Sequence, residues 1–267
     1  MKNLLIYVNL EKDLTGEYLD KIESVISARN LRCEVIRDGE EPSGTHYDAL
    51  IVLGGDGTIL RRTELANRLN LPILAINCGE LGFLSEFEFS EAATAVDLLE
   101  SGKLVKDERT TLKITFGGKT FYALNDAVLS RMYEENKRII VNVGLKIGEI
   151  DLQPVIGDGV IISTPTGSTA YSMSAGGAIL EPNIDAFCVT PIAAHSLTAR
   201  CMVFSSETRC RLKLGNGANA GLFADGNRIA ILKDGDEVFI SKAEKNTVFL
   251  RKSGFDFFRR INKFQGR

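Results

Sequence analysis

The stretch Ala49-Leu50-Ile51-Val52-Leu53-Gly54-Gly55-Asp56-Gly57-Thr58 decides the fold class. Its five consecutive apolar residues read as a strand covered on both faces. Three glycines among the next four residues let the chain turn sharply and bring its backbone close to a ligand. A helical stretch from Ile59 to Leu69 follows. The start of that helix offers unpaired N–H groups and a positive dipole end, a setting that suits phosphate. The pattern is neither GxGxxG nor a Walker A loop, which requires Gly-Lys-Ser/Thr. Asp56 is odd in a loop that only cradles an anion, because its charge repels one. A carboxylate here suggests action on an acceptor group or on a metal. A plain strand-to-helix turn capped by Asp accounts for the same residues.

Outward from this loop, strands alternate with helices through the first hundred residues. Leu4 to Val8, Cys33 to Ile36 and Ile73 to Ile76 are short apolar runs. Leu14, Tyr18, Ile22, Val25 and Ile26 repeat at helical spacing, with a stop near Asn30, and Ala92 to Leu99 forms a closing helix before Ser101-Gly102. Such alternation predicts a parallel sheet flanked by helices, over residues 1–104.

Beyond it the period changes. Leu112 to Phe116 alternates apolar and polar residues, and Gly117-Gly118 signals a hairpin before Thr120 to Leu124. Further short strands are predicted at Ile139 to Val143, Val160 to Ile162, Arg211 to Leu214, Ala220 to Ala224, Arg228 to Leu232 and Glu237 to Ile240. Asp225-Gly226 and Asp234-Gly235 punctuate the last of these. Period two with glycine turns predicts an antiparallel, β-rich second domain over residues 105–250.

The 267 residues, 44% hydrophobic and 25% charged, exclude a disordered chain, a collagen-like chain and a disulfide miniprotein. A chain of this length removes about 75% of its unfolded surface from water without a staple. A net charge of −3 leaves no global basic field for nucleic acid or an anionic membrane. The uneven region is 251–267, which carries +5 and sets Phe255, Phe258 and Ile261, with Phe257 and Phe264, at helical spacing. An amphipathic helix docked on an acidic body is expected there. Five scattered cysteines without CxxC spacing, and only two histidines, give no local zinc site. They read as reduced, mostly buried thiols of a cytoplasmic protein. The N-terminal Met-Lys-Asn-Leu-Leu-Ile-Tyr-Val run reads as a first strand and not as a signal peptide, and no run approaches 18 apolar residues.

Two more segments carry polar chemistry. Gly157-Asp158-Gly159 leads through a strand into Ser163-Thr164-Pro165-Thr166-Gly167-Ser168-Thr169-Ala170-Tyr171-Ser172. Hydroxyls so dense, broken by Pro and Gly, make a poor helix and a poor strand, and can present oxygens and N–H groups to a polar ligand. Leu124-Asn125-Asp126-Ala127 sets a polar pair inside an apolar strand, where it needs a ligand or a structural partner.

Taken in order, Gly54-Gly55-Asp56-Gly57-Thr58, Leu81-Gly82-Phe83, Asn125-Asp126, Gly157-Asp158-Gly159 and Thr164 to Tyr171 closely resemble the bacterial NAD kinase family. The resemblance runs along essentially the whole chain, down to a C-terminal Phe-Arg-Arg segment. The glycine loop is shared with lipid kinases, whereas the Thr-Pro-Thr-Gly-Ser-Thr-Ala-Tyr block is highly specific.

The resemblance implies an α/β N-terminal domain, a β-rich NAD-binding domain and an active site between them, with segment 251–267 returning to the first domain. It implies transfer of the γ-phosphoryl of ATP, or of polyphosphate, to the 2′-hydroxyl of the adenosine ribose of NAD, giving NADP. Asp56 would be the general base. Gly54, Gly55, Gly57 and Thr58 would hold phosphate, and a divalent cation, Mg²⁺, would ride mainly on the ATP phosphates. Arg61 would stand near NAD with Asp56 and Gly57. Asn125 and Asp126 would hydrogen-bond the ribose. Phe83, Thr169, Ala170, Tyr171 and Ser174 would line the adenine and ribose pocket, and Thr166 would contact NAD. Asp158 would face the nicotinamide side, Ala193 would join the same pocket, and Asn227 would add a polar contact. Ile156 departs from the family, where Arg or Lys is common. His195 reads as a structural or interface residue. A homodimer or homotetramer is implied. Two other functions fit parts of the pattern: a lipid kinase sharing the glycine loop, and a dinucleotide sensor without turnover.

Overall fold

The computed structural model of the chain describes all residues except 1, 10–12, 80, 81, 133–139, 216, 218, 255, 266 and 267, and it leaves out the side chains of 264 and 265. Leu81, Ile139, Phe255, Arg267 and the Phe264 side chain therefore lie outside the described residues. The chain divides into two compact units, Met1–Glu108 with Thr247–Arg267, and Arg109–Asn246.

In the first unit, β1 (Asn3–Val8), β2 (Arg32–Ile36), β3 (Ala49–Leu53), β4 (Ile73–Asn77), β5 (Phe87–Glu88) and β6 (Val105–Arg109) share a sheet with the late strand Thr247–Arg251. The order is β2-β1-β3-β4, then Thr247–Arg251, then β6, with β5 also on β4. Pairing is parallel from β2 through to Thr247–Arg251. Every residue of β3 and β4 is buried, as continuous apolar runs require when both faces are covered. Because β6 and Thr247–Arg251 complete this sheet, the second unit is shorter than the 105–250 expected.

The helices α1 (Glu17–Ser27), α2 (Asp56–Leu60), α3 (Thr63–Leu69) and α4 (Ala92–Glu100) accompany the sheet, with a further helix near the end of the chain. Ile22 and Ile26 of α1 and Ala95, Val96 and Leu99 of α4 pack into the sheet's core. Three expectations need correction. Leu14 precedes α1 and is 88% exposed, because the Asp13 carboxylate accepts the N–H groups of Tyr18 and Leu19 and fixes the helix start after it. The stretch Ile59–Leu69 is not one helix. It breaks at Arg61-Arg62, where the Arg62 guanidinium lies 3.8 Å from the Tyr7 ring centre and pairs with Asp38. The terminal helix Phe257–Gln265 buries Phe257 but leaves Phe258 62% exposed, so its apolar face is set differently from the spacing expected.

The second unit holds two six-stranded antiparallel sheets. Its strands are β7 (Leu112–Phe116), β8 (Lys119–Ala123), β9 (Asp126–Arg131), β10 (Val141–Ile147), β11 (Ile150–Gly157), β12 (Gly159–Ser163), β13 (Ala186–Ile192), β14 (Met202–Ser205), β15 (Cys210–Gly215), β16 (Ala220–Ala224), β17 (Asn227–Leu232) and β18 (Glu237–Lys242). The orders are β11-β10-β15-β18-β7-β8 and β14-β13-β12-β9-β16-β17. Inward residues of both sheets, among them Leu112, Val143, Leu212, Leu129, Ile162 and Leu222, form one core. β15 shows the alternation plainly: Cys210, Leu212 and Leu214 are buried while Lys213 is exposed. Asn125 sits at the bend between β8 and β9 and Asp126 opens β9, so the pair is not inside a strand as expected. Among the described residues no helix is long and apolar enough to cross a membrane.

Candidate active site

Asp56 opens α2 after Gly55, and its side chain is half-buried. Its Oδ2 accepts the N–H of Phe83 at 2.7 Å and its Oδ1 the N–H of Leu84 at 3.1 Å. A carboxylate offers about four lone-pair sites, so these bonds orient it and leave capacity for a proton. Gly82 passes so close that a Cβ there would overlap the Asp56 carboxylate. The loop is held from the C-terminus. Arg260 donates to the carbonyls of Gly82, at 2.8 Å, and Ser85, and lies 3.6 Å from Glu86. Arg251, only 1% exposed, pairs with Glu86 at 3.3 Å and with Asp107. The positive tail thus has a local task that its charge count does not disclose.

Two of the four residues expected to cradle phosphate have their N–H groups committed within the fold. Gly54 donates to the Ile76 carbonyl at 3.0 Å and Thr58 to Gly55 at 2.9 Å. The Thr58 hydroxyl also accepts from Asn9 Nδ2 at 3.3 Å. Gly55 and Gly57 keep the expected role open. Arg61 is exposed, whereas Arg62 is the one stacked on Tyr7.

In the second unit a cavity of about 430 Å³ is walled by Asn125, Asp126, Ala170, Tyr171, Phe223 and Asp225, among others. Asp225 accepts the N–H groups of Leu124, Asn125 and Asp126, at 2.7, 2.7 and 3.1 Å. It stands at φ 46° beside Gly226 at φ 79°, the two left-handed positions that a tight hairpin between β16 and β17 needs. Asp126 is 5% exposed. Burial, and then the charge of Asp225, push its carboxyl up to about 7. Burial also raises Asp225, against the pull of its three N–H donors. Those donors favour the ionised form of Asp225, so the pair's proton resides on Asp126. Asp225 and Phe223 escape a reading that takes Asp225-Gly226 only as a turn. The distant signal was the polar pair at Asn125-Asp126, which demanded a partner.

The hydroxyl-rich segment is turned inward more than expected. Thr164 Oγ1 donates to the Leu124 carbonyl at 2.6 Å and accepts the Gly167 N–H at 3.0 Å. Ser168 Oγ bonds the Pro165 carbonyl at 2.6 Å and accepts from Leu180 N at 2.9 Å. Thr166, 7% exposed, accepts from the buried Arg109 at 3.3 Å, so its hydroxyl supports the loop. Gly167 packs directly on the Asn125 carbonyl, where a Cβ would overlap it. What the segment presents outward is half-buried Thr169 and Ala170, then Tyr171 and Ser174, both exposed, on the short helix α5 (Tyr171–Ser174).

The remaining expected positions are more scattered. Asp158 Oδ1 is 3.0 Å from Arg131 Nε, and the two residues also share a backbone bond of 2.9 Å. Ile156 is 41% exposed, so Arg131 supplies a cation beside Asp158 that Ile156 does not. Ala193 is exposed at φ 45°, a strained conformation for a residue with a Cβ. Asn227 is exposed and pairs with Ala224 across the hairpin. His195 is exposed, and its N–H donates to the Ile156 carbonyl at 2.9 Å. Phe83 belongs to the Asp56 loop of the first unit.

Comparison with known proteins agrees across the chain. A family model described as the ATP-NAD kinase N-terminal domain matches residues 1–104, and one described as the ATP-NAD kinase C-terminal domain matches residues 124–252. The chain is 36% identical over 252 residues to the NAD kinase of Caldicellulosiruptor saccharolyticus, covering 94% of this chain and 95% of that protein. It is 34% identical over 269 residues to the NAD kinase of Clostridium botulinum, covering 97% and 94%. A crystal structure of yeast NADH kinase complexed with NADH is similar with a TM-score of 0.86 and 27% identity, covering 100% of this chain and 88% of that one. An NAD kinase from Archaeoglobus fulgidus in complex with ATP shares the fold, with a TM-score of 0.79. A lipid kinase or a sensor without turnover receives no support from these matches.

Proposed function

The chain belongs to the ATP-NAD kinase family and is an enzyme that phosphorylates NAD, and from that premise we propose how its own residues carry the reaction. A ribose hydroxyl is a weak nucleophile, and phosphoryl transfer depends on positioning and charge neutralisation more than on covalent chemistry. Asp56 takes the proton of the 2′-hydroxyl as its oxygen bonds to the γ-phosphorus. The bond from that phosphorus to the β–γ bridging oxygen breaks, and ADP leaves. The observation that carries this reading is the Asp56 carboxylate, held by the N–H groups of Phe83 and Leu84 with lone pairs to spare.

Gly55 and Gly57 lend N–H groups to phosphate oxygens, since those of Gly54 and Thr58 are committed elsewhere. Asn125 and Asp126 bind the ribose hydroxyls from the cavity wall. A neutral Asp126 donates a hydrogen bond as well as accepting one, which suits a hydroxyl pair. Ala170 and Tyr171 line the adenosine pocket, with Thr169, Ser174 and Phe83 as further contacts. Asp158, ion-paired to Arg131, serves the nicotinamide side with Ala193; Arg61 and Asn227 add peripheral polar contacts.

Among the described residues no group of three or more His, Cys, Asp or Glu is placed to hold a metal ion. A divalent cation such as Mg²⁺ would come with the ATP phosphates and would neutralise their charge. We assign the enzyme to the cytoplasm, which its five free thiols support, and to a homodimer or homotetramer. The test incubates purified protein with NAD, Mg²⁺ and either ATP, another nucleoside triphosphate or polyphosphate. The expected result is NADP and ADP in equal amounts from ATP. NAD binding by calorimetry without any NADP would instead favour the sensor.

A further inference from the structure

Apart from the residues that wall the cavity, two thiols of the second unit stand unusually close. Cys188 Sγ and Cys201 Sγ are 2.8 Å apart, nearer than two sulfur atoms sit in ordinary van der Waals contact. Cys188 lies in β13 and is fully buried. Cys201 is half-buried and immediately precedes β14, which pairs with β13 through Cys188↔Val203 and Val189↔Met202. The two sulfurs are therefore held together by strand register and not by chance approach of mobile side chains. The Ala178 N–H donates to Cys201 Sγ at 3.4 Å and fixes its position.

The pair also connects to the proposed NAD contacts. Cys188 Sγ is 3.4 Å from Thr190 Oγ1, which is 2.9 Å from Ser172 Oγ in α5. Ser172 lies between Tyr171 and Ser174 on that helix. Burial, and Cys201 beside it, push the Cys188 thiol up, so Cys188 stays protonated in neutral solution and the more accessible Cys201 meets an oxidant first.

We propose that Cys188 and Cys201 form a reversible intrachain disulfide on exposure to a hydroperoxide, and that its closure loosens NAD binding through Thr190 and Ser172. With hydrogen peroxide, the Cys201 thiolate attacks one oxygen and the O–O bond breaks. Hydroxide leaves and becomes water with a proton from solvent, and Cys201 becomes a sulfenic acid. The Cys188 sulfur then attacks the Cys201 sulfur, the S–O bond breaks, and the Cys188 proton leaves with the hydroxyl as a second water. Two thiols are oxidised to one disulfide and the peroxide is reduced to water. A dithiol reverses the bond by exchange. Shortening the sulfur separation to a covalent bond draws Cys188 off Thr190 and disturbs the support of α5. The coupling rests on Tyr171 and Ser174 being NAD contacts; the disulfide does not.

The experiment treats the full chain with equimolar hydrogen peroxide, alkylates it, and maps the digest by mass spectrometry without reduction. The expected product is one peptide pair joining Cys188 to Cys201. The oxidised protein should bind NAD roughly fivefold more weakly or worse by calorimetry, within the usual range of coupling between sites. Dithiothreitol should restore both, and Cys201→Ser should show neither change. Sulfinic acid at Cys201 without a link, or a link through another cysteine, would overturn the disulfide. A Cys188–Cys201 link with unchanged NAD affinity would overturn the coupling. A reduced protein that fails to bind NAD would overturn the coupling together with the NAD contacts, while the peptide map still decides the disulfide.

Discussion

Asp56 of the first unit and Asp225 of the second make the same local bond pattern to opposite ends. Each carboxylate accepts consecutive backbone N–H groups, from Phe83 and Leu84 in one case and from Leu124, Asn125 and Asp126 in the other. Asp56 is the group being positioned: a loop pinned by Arg260 delivers two donors and leaves lone pairs for chemistry. Asp225 is the group that positions: it gathers three donors so that Asn125 and Asp126 wall the cavity. The pattern alone therefore does not reveal a catalytic carboxylate. What differs is which partner is fixed from elsewhere in the fold.

Removing either side of this contrast should give different failures. Asp225→Ala leaves three N–H groups of the β8–β9 bend without their acceptor. We expect a loss of about 3 kcal/mol in stability, since bonds to a charged acceptor carry most of their weight when broken. NAD affinity should fall with it, which urea unfolding and calorimetry read together. An unchanged denaturation midpoint would demote Asp225 to a turn residue. Gly82→Ala works on the first side. The new Cβ must displace the Asp56 carboxylate, and kcat should drop on the order of 10²-fold, as for a misplaced catalytic group. NAD affinity should hardly move, and unaltered kcat would show that the loop does not set Asp56.

The smallest effect sharpens the comparison through pH. The folded protein keeps the Asp126 proton to about 7, whereas the unfolded chain releases it near its ordinary value of 3.8. Asp126 thus contributes its full stability below about pH 4, and that contribution is lost as pH rises through about 7. Between pH 5 and pH 6.5 the wild type should lose about 2 kcal/mol relative to Asp126→Asn, the sum of roughly 1.4 kcal/mol per unit over that span. Parallel stability curves for the two proteins would mean that Asp126 is ionised throughout and Asp225 is not its rival.

Much of this was legible from residues. The buried runs Ala49–Leu53 and Ile73–Ile76 announced a covered parallel sheet, and Gly117-Gly118 announced the β7–β8 hairpin of the second unit, because local chemistry decides such features. The Gly-Gly-Asp-Gly loop marked Asp56 as a candidate because a carboxylate conflicts with an anion cradle. The partners of these groups were not legible. Arg260 and Arg251 reach Gly82 and Glu86 from far along the chain, and only tertiary pairing joins them. The hydroxyls of Thr164, Thr166 and Ser168 looked like ligand groups, yet the fold uses them to satisfy its own buried backbone and side chains. Composition reports that such groups exist; it does not report which way they turn. Leu14 was misplaced for a similar reason, since Asp13 caps the helix after it.

The central claim is that Asp56 takes the proton of the ribose 2′-hydroxyl. The most direct measurement compares single-turnover NADP formation by wild type and Asp56→Asn at saturating NAD, ATP and Mg²⁺, with NAD affinity measured on the same samples. We expect NAD binding within a few-fold of wild type and a rate lower by roughly 10²- to 10⁴-fold, the range for loss of a general base. A variant that forms NADP at close to the wild-type rate would contradict it.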